Sequence, residues 1–407
     1  MKFAHMSDCH VGSWREPRMR ELNMRAFSTA IDTCLNEKVD FILISGDLFN
    51  TAFPGYDGLK EVVLKLKKLH DRDIPVYVIQ GSHDYSPTGK TIIDVLENAG
   101  LCINAAKGEN VDGKLMLNFT IDKKTGAKIA GFIGRKGGIE KNYYDQLLKE
   151  NLESEDGFKI FMFHSAITEY KPSDMAEMDS QPISLFPKNF NYYAGGHLHA
   201  VFENMEEDYG LIVYPGPLFP NSVKELEKLG CGGFYLVEYD GVKINTTYLP
   251  IDLCKVRSFK IDCNNKVPSE VSDEMLSQLS SEDFNNAIVI LRFFGTLKSG
   301  SPVDIPYNDI IKLCYEHGAL VVMKHTLNLS GAGLEQIATI GQTLEEIEGS
   351  IIKEHAGQIS MTGYDSEKEI RLTHALIETL NLEKEEGETS SEFEKRILAE
   401  TKMLLDY

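Results

Sequence analysis

The chain has no run of eighteen apolar residues, so no segment reads as a membrane-spanning helix. Its seven cysteines, Cys9, Cys34, Cys102, Cys231, Cys254, Cys263 and Cys314, are scattered and odd in number, with no Cys-x-x-Cys pair. Neither a disulfide framework nor a thiolate zinc site is indicated, and a reducing cytoplasmic setting fits. The opening Met1-Lys2-Phe3-Ala4-His5-Met6-Ser7-Asp8 turns polar at once and lacks the apolar stretch of a secretory signal. Positive charge is also short: 42 Lys and Arg stand against 62 Asp and Glu, a net charge of −20. That argues against a protein gripping nucleic acid with its whole surface. It leaves room for nucleic-acid chemistry at a site where bound divalent cations reverse the local field. The deficit is uneven, because residues 341–407 hold sixteen acids and only seven basic residues.

At 407 residues and 42% apolar composition, the chain is long enough for two to three domains and a sizeable core. The first half alternates between strand and helix patterns. Strands are expected at Lys2–Ser7, Val39–Ser45, Ile74–Ile79, Lys128–Gly134, Lys159–Phe163, Asn191–Gly195, Leu211–Tyr214 and Phe234–Tyr239. The last is followed by Val242–Tyr248 across an Asp240-Gly241 turn. Helices are expected at Arg18–Lys38, Leu59–His70 and Ile92–Ala99, each with an apolar stripe at helical spacing. Such alternation implies a layered α/β domain. Past Leu249-Pro250 the pattern changes to a small α+β unit, with strands at Lys255–Asp262, Ala287–Phe293 and Ala319–Lys324 and helices at Pro268–Leu279 and Asn308–Tyr315. Beyond Leu334 the chain is polar, with amphipathic helices expected at Ile370–Leu382 and Phe393–Leu405. The expected domains are therefore 1–250, 255–330 and a helical tail at 334–407.

Five short segments share one placement, each where an expected strand ends. They are Asp8-Cys9-His10, Gly46-Asp47, Gly81-Ser82-His83-Asp84, His164, and Gly195-Gly196-His197-Leu198-His199. In open α/β sheets the crevice at the carboxyl ends of strands is where ligands bind. Five of the eleven histidines fall in these segments. Imidazole with carboxylate is a ligand set for Mn, Fe or Zn rather than Ca. If the strand stays extended through Asp8-x-His10, both side chains share one face; His197-x-His199 does the same, or a turn aims the pair at two ions. Singly, each segment has a plain structural reading: a turn, a surface pair, a satisfied core histidine. Together, and always at strand ends, they point to metal chemistry.

The order Asp-x-His, Gly-Asp, Gly-x-His-Asp, His, Gly-His-x-His resembles the signature of the calcineurin-like metallophosphoesterases. The phrasing of Lys2–Gly12, Gly46–Asn50, Tyr192–His199 and Tyr214-Pro215-Gly216-Pro217 is similar to one branch, the DNA double-strand-break repair nucleases of the SbcD and meiotic-recombination-eleven type. The resemblance covers roughly residues 1–250. It implies a fold of layered mixed sheets flanked by helices, a small α+β capping domain and a helical tail. It also implies two Mn²⁺ ions, other divalent cations being usable, and hydrolysis of DNA phosphodiesters by exonuclease and endonuclease action. Asp47 would bridge the metals; Asp8, His10 and His199 would complete one position; Ser82, His164 and His197 would supply the other. His83 would act outside the metal shell as acid or charge stabiliser, with Asp84 orienting its ring. Ser82 departs from the signature, which has asparagine there. Its shorter hydroxyl either reaches a metal through water or leaves that position weaker.

The resemblance further implies a homodimer, through the helices at Leu59–Leu69 and Ile92–Leu96, and a coiled-coil ATPase of the SbcC type, held by the terminal helices. Arg15, Arg18, Lys90 and Arg135 are candidate DNA contacts near the strand ends, and Trp14 is either a stacking residue or a half-buried anchor. Two other functions use the same residues: a phosphoesterase of small phosphodiesters, and a catalytically weak scaffold for the ATPase.

Overall fold

The computed structural model describes residues 1–86, 89–134, 144–175, 177–331, 352, 366–382, 384 and 390–405. The chain divides into two compact units, Met1–Ala332 and Gly333–Tyr407.

The first unit is built on two six-stranded sheets. In the first, strands β1 (Lys2–Met6), β2 (Phe41–Ser45), β3 (Val76–Ile79) and β4 (Ile103–Asn104) run parallel. Residues 108–121 add β5 (Gly108–Val111), β6 (Lys114–Leu117) and β7 (Thr120–Ile121). Then come β8 (Lys128–Gly131), β9 (Leu147–Leu148), β10 (Lys159–His164), β11 (Ala166–Ile167), β12 (Ser180–Gln181), β13 (Tyr192–Gly196), β14 (Phe202–Glu206) and β15 (Gly210–Tyr214). Antiparallel β16 (Gly232–Tyr239) and β17 (Ile244–Ile251) complete the first sheet, in the order β17-β16-β1-β2-β3-β4. The second sheet has the order β14-β15-β13-β10-β8-β7, with β15, β13, β10 and β8 parallel. The short strands β5, β6 and β9 make a small separate sheet, and β11 pairs with β12.

The near-continuous apolar strands are explained by coverage on both faces. Successive side chains point to opposite sides. Phe41 and Leu43 of β2 therefore enter the core between the sheets, facing Ile160, Met162, Tyr192 and Ala194 of the second sheet. Ile42 and Ile44 enter the core beneath helices α1 (Pro17–Glu37) and α2 (Tyr56–His70). Phe161 and Phe163 of β10 face the other way, toward Tyr144, Phe186 and Phe190. The result is the layered α/β sandwich expected from the alternation. Its two parallel sets of strands bring their carboxyl ends to a common edge.

Helix α1 is capped by Glu16, whose side chain accepts from the Met19 amide, with proline at its opening position. Helix α3 (Ile92–Asn98) opens on a Thr91–Asp94 capping box. Helix α4 (Glu150–Glu153) is a single turn, and α5 (Val223–Leu229) is capped by Ser222.

Strands β18 (Lys255–Asp262), β19 (Ala287–Thr296) and β20 (Ala319–Ser330) form a parallel three-stranded sheet with helices α6 (Pro268–Leu279) and α7 (Tyr307–Glu316). Val289, Leu291 and Phe293 face a core of their own with Val271, Met275 and Ile310. Ile288, Ile290 and Val321 face the opposite way into the core that contains α1. In the second unit, α8 (Ser366–Leu380) packs against α9 (Ser390–Leu404). Among the described residues no helix is long and apolar enough to cross a membrane.

Candidate metal centre

The loop after β1 runs alongside the loop after β2. The amides of Asp8, His10 and Val11 donate to the carbonyls of Gly46, Asp47 and Leu48 at 3.1, 2.9 and 3.0 Å. The chain is not extended here: Asp8, His10 and Asp47 have φ of 48°, 43° and 51°, and His197 has φ of 81°. Convergence of Asp8 and His10 thus comes from left-handed turns rather than from one strand face, which corrects the extended reading of Asp-x-His. Residues without a glycine's freedom tolerate this region at a cost, and such strain concentrates at functional sites. The crowding is severe. A Cβ on Gly46 would lie 2.3 Å from His164 Nδ1, and one on Gly81 2.2 Å from Asp47 Oδ1.

The five strand ends meet at one edge. His199 Nε2 lies 3.4 Å from Asp8 Oδ1 and 3.2 Å from His10 Nε2. His164 Nε2 lies 3.2 Å from Asp47 Oδ2 and 4.0 Å from Asp8 Oδ1, and His10 Nε2 is 3.8 Å from Asp47 Oδ2. Ser82 Oγ donates to the same Asp47 oxygen at 3.5 Å. Three clusters have ligand atoms within 4.8 Å of one another: Asp8, His10 and His199; Asp8, Asp47 and His164; and His10, Asp47 and His83. Among the described residues His197 joins none of these. Its amide donates to both Asp8 oxygens at 3.2 and 3.1 Å, and its ring lies 5.2 Å from that of His164.

Backbone carbonyls set two of the rings. His164 Nδ1 donates to Ser45 O at 2.8 Å, so its Nε2 faces the carboxylates as a lone pair in the neutral ring. His83 Nδ1 donates to Asn50 O at 2.8 Å. The orienting part expected of Asp84 therefore falls to Asn50. Asp84 is fully buried and turns inward, where its oxygens accept from the amides of Leu48, Phe49 and Gly81 at 3.0–3.1 Å. It ties the turn after β2 to the turn after β3.

The donor set fits divalent cations. Asp8 and Asp47 are buried, and burial alone would raise their carboxyls. The surrounding histidines instead hold both well below the usual carboxylate range. Burial opposes charge on His164 and His199, yet Asp47 and Asp8 push His164 up to about 10, and Asp8 with Glu225 push His199 up to about 10. Burial pushes His10 and His197 down to about 4, so both are neutral donors at pH 7. Among the described residues His10 Nδ1 is buried with no hydrogen-bond partner, as expected of a ring turned toward something other than a protein group. Two buried carboxylates among imidazoles suit Mn, Fe or Zn.

A family model for the calcineurin-like phosphoesterases matches residues 1–201. The DNA double-strand break repair protein Mre11 of Thermoplasma acidophilum is 30% identical over 289 residues, covering 68% of this chain and 71% of its own. That of Methanocaldococcus jannaschii is 29% identical over 298 residues, 71% and 72% of the two chains. That of Methanococcus maripaludis is 26% identical over 358 residues, 85% and 86%. The chain belongs to the Mre11 family of calcineurin-like phosphoesterases. Its sandwich is the metallophosphoesterase fold.

The candidate DNA contacts fare differently around this Mre11-family site. Arg15 and Lys90 are exposed. Arg18 Nη1 donates to Leu320 O at 2.7 Å and so ties α1 to β20. Arg135 lies outside the described residues. Trp14 is the half-buried anchor: its Nε1 donates to Pro220 O at 3.0 Å. Two polar residues escape a reading of the sequence. His5, fully buried on β1, bonds to Tyr192 Oη at 2.9 Å and to the Oγ of Ser45 at 3.1 Å, the residue whose carbonyl holds His164. Glu225 on α5 accepts from His199 Nδ1 at 3.1 Å. The Ser222-x-x-Glu225 spacing is a helix-start signal legible in the sequence, although nothing in it points to a histidine.

Proposed function

We propose that the protein is a two-metal nuclease that hydrolyses DNA phosphodiesters in double-strand-break repair, with Mn²⁺ as the working ion. The observation that carries this is the sharing of two buried carboxylates, Asp8 and Asp47, among three overlapping ligand clusters. One ion would leave much of that donor set idle. The names of the archaeal relatives, DNA double-strand break repair proteins, support DNA as the substrate.

Asp47 would serve both ions; Asp8, His10 and His199 would complete one position, and Ser82, His164 and His197 the other. Paired ions supply an activated water and charge stabilisation for in-line displacement at phosphorus. His83, held by Asn50 and half-buried beside His10, would protonate the leaving oxygen or steady charge on the phosphate. Asp84 acts beneath it by fixing the two turns.

Exposed apolar residues support the assembly reading. Tyr56 and Leu64 on α2 and Val95 on α3 are exposed, as a homodimer face on those helices requires. Leu380 on α8 and Leu398 and Met403 on α9 are exposed, which suits a helix pair docking on the coiled coil of an SbcC-type ATPase. The β18–β20 sheet with α6 and α7 would narrow access to the metals as a capping domain.

A second reading, a catalytically weak scaffold for the same ATPase, is favoured by Ser82, whose hydroxyl is the shortest candidate ligand. The two separate in one assay. Labelled single- and double-stranded DNA is incubated with the full chain and Mn²⁺, Mg²⁺ or chelator. Mn²⁺-dependent cutting supports the nuclease; DNA left intact with every ion, alone and with the ATPase, leaves the scaffold.

A further inference from the structure

Helix α5 lies between the metal cluster and the β18–β20 sheet. Its first turn reaches His199 through Glu225. Glu227 on the same helix accepts from Arg292 Nε and Nη2 of β19 at 2.8 and 2.6 Å, and from Ser258 of β18. We propose that Glu225 is a positioning residue for His199, holding the ring by Nδ1 so that Nε2 is presented beside Asp8 and His10, and thereby strengthening that position's hold on a divalent cation. The proposal rests on the two-metal reading above.

Among the described residues His199 is the candidate ligand histidine whose far ring nitrogen meets a carboxylate. The two rings whose backing is a backbone carbonyl are those of His164, on Ser45, and His83, on Asn50. A neutral carbonyl fixes a tautomer; a carboxylate also makes the far nitrogen a stronger donor. Glu225 is itself fixed before any ion arrives. Its Oε2 accepts from the Asn221 amide at 2.8 Å, and its Oε1 from Ser222 Oγ at 3.1 Å as well as from His199. In return, Ser222 Oγ accepts from the Glu225 amide at 3.2 Å. A glutamate held on three sides loses little rotamer freedom when its partner engages a cation. With Arg292 and Ser258 gripping Glu227 two residues on, the helix cannot slide without breaking contacts to both His199 and the β18–β20 sheet.

A capping residue and a positioning residue make different predictions. Glu225→Gln keeps an amide oxygen that can accept from the Asn221 N–H and leaves the Ser222 cap on the residue-225 amide in place, so it keeps the helix start and removes the charge behind His199. Ser222→Ala removes the cap hydroxyl and keeps that charge. Mn²⁺ binding to the full-length chain is titrated by calorimetry, with circular dichroism confirming the fold of each variant. Glu225→Gln is expected to weaken one of the two sites about 10- to 100-fold, and Ser222→Ala to leave both close to the unaltered protein. Unchanged binding in Glu225→Gln, or equal weakening in Ser222→Ala, overturns the positioning role while the two-metal reading stands. An unaltered chain that takes up no Mn²⁺ overturns both.

Discussion

The backbone N–H of His83 donates to Asp47 Oδ1 at 2.7 Å. One oxygen of the carboxylate most central to the site is thereby spent on fixing the turn that carries the proposed acid. The other, Oδ2, faces His164, His10 and Ser82. Ligand and acid are thus set by one side chain, and anything that displaces Asp47 displaces both.

Gly81→Ala tests that dependence without touching a titratable group. The new methyl would sit 2.2 Å from Asp47 Oδ1 and 2.3 Å from the Asp47 amide, where backbone cannot give way cheaply. Overpacking of this kind costs about 1–3 kcal/mol. Thermal unfolding is expected at lower temperature, with Mn²⁺ binding weakened in the same variant. Undiminished binding would mean that the turn has slack the distances do not show.

Ser82→Asn restores the residue of the family signature. The amide oxygen reaches further than a hydroxyl that now stands 3.5 Å from Asp47 Oδ2. Calorimetry is expected to show tighter binding at one of the two Mn²⁺ positions, with faster DNA cutting at limiting metal. Identical isotherms for the two proteins would remove Ser82 from the ligand set.

Without metal, stability should fall as pH rises above neutrality. His164 and His199 are raised from 6.5 to about 10, so the folded chain holds more protons than the unfolded one between those values. Their contribution is complete below pH 6.5 and is lost as pH climbs through about 10. Urea unfolding in chelator is expected to show a lower midpoint at pH 9 than at pH 7. Saturating Mn²⁺ should reduce that difference, because the ion replaces the protons on the same nitrogens. A midpoint in chelator that is flat from pH 7 to pH 9 would show that these rings are not charged in the metal-free fold.

Much of this was legible in the sequence because the strands are short, apolar and bounded by glycine or polar residues, while α1 and α2 carry clear apolar stripes. The edge strands β4 and β7 and the ribbon of β5, β6 and β9 were not, since two to four residues carry no readable period. Helix α5, two turns long, offers only its Ser222-x-x-Glu225 start and too short a stripe to read beyond it. The site residues stood out by type and by position at strand ends. Their geometry did not, because the positive φ at Asp8, His10, Asp47 and His197 is imposed by hydrogen bonds between loops distant in sequence. Asp84 looked like a partner for its neighbour His83. Only the fold shows three amides from two loops competing for its oxygens.

The most direct test compares Asp47→Asn with His83→Ala in the same preparation, measuring Mn²⁺ stoichiometry and DNA cleavage on each. Two ions per chain in the unaltered protein, two in His83→Ala with cutting slowed about 10²- to 10⁴-fold, and fewer than two in Asp47→Asn would match the account. An Asp47→Asn protein that binds two ions and cuts DNA at the unaltered rate would contradict it.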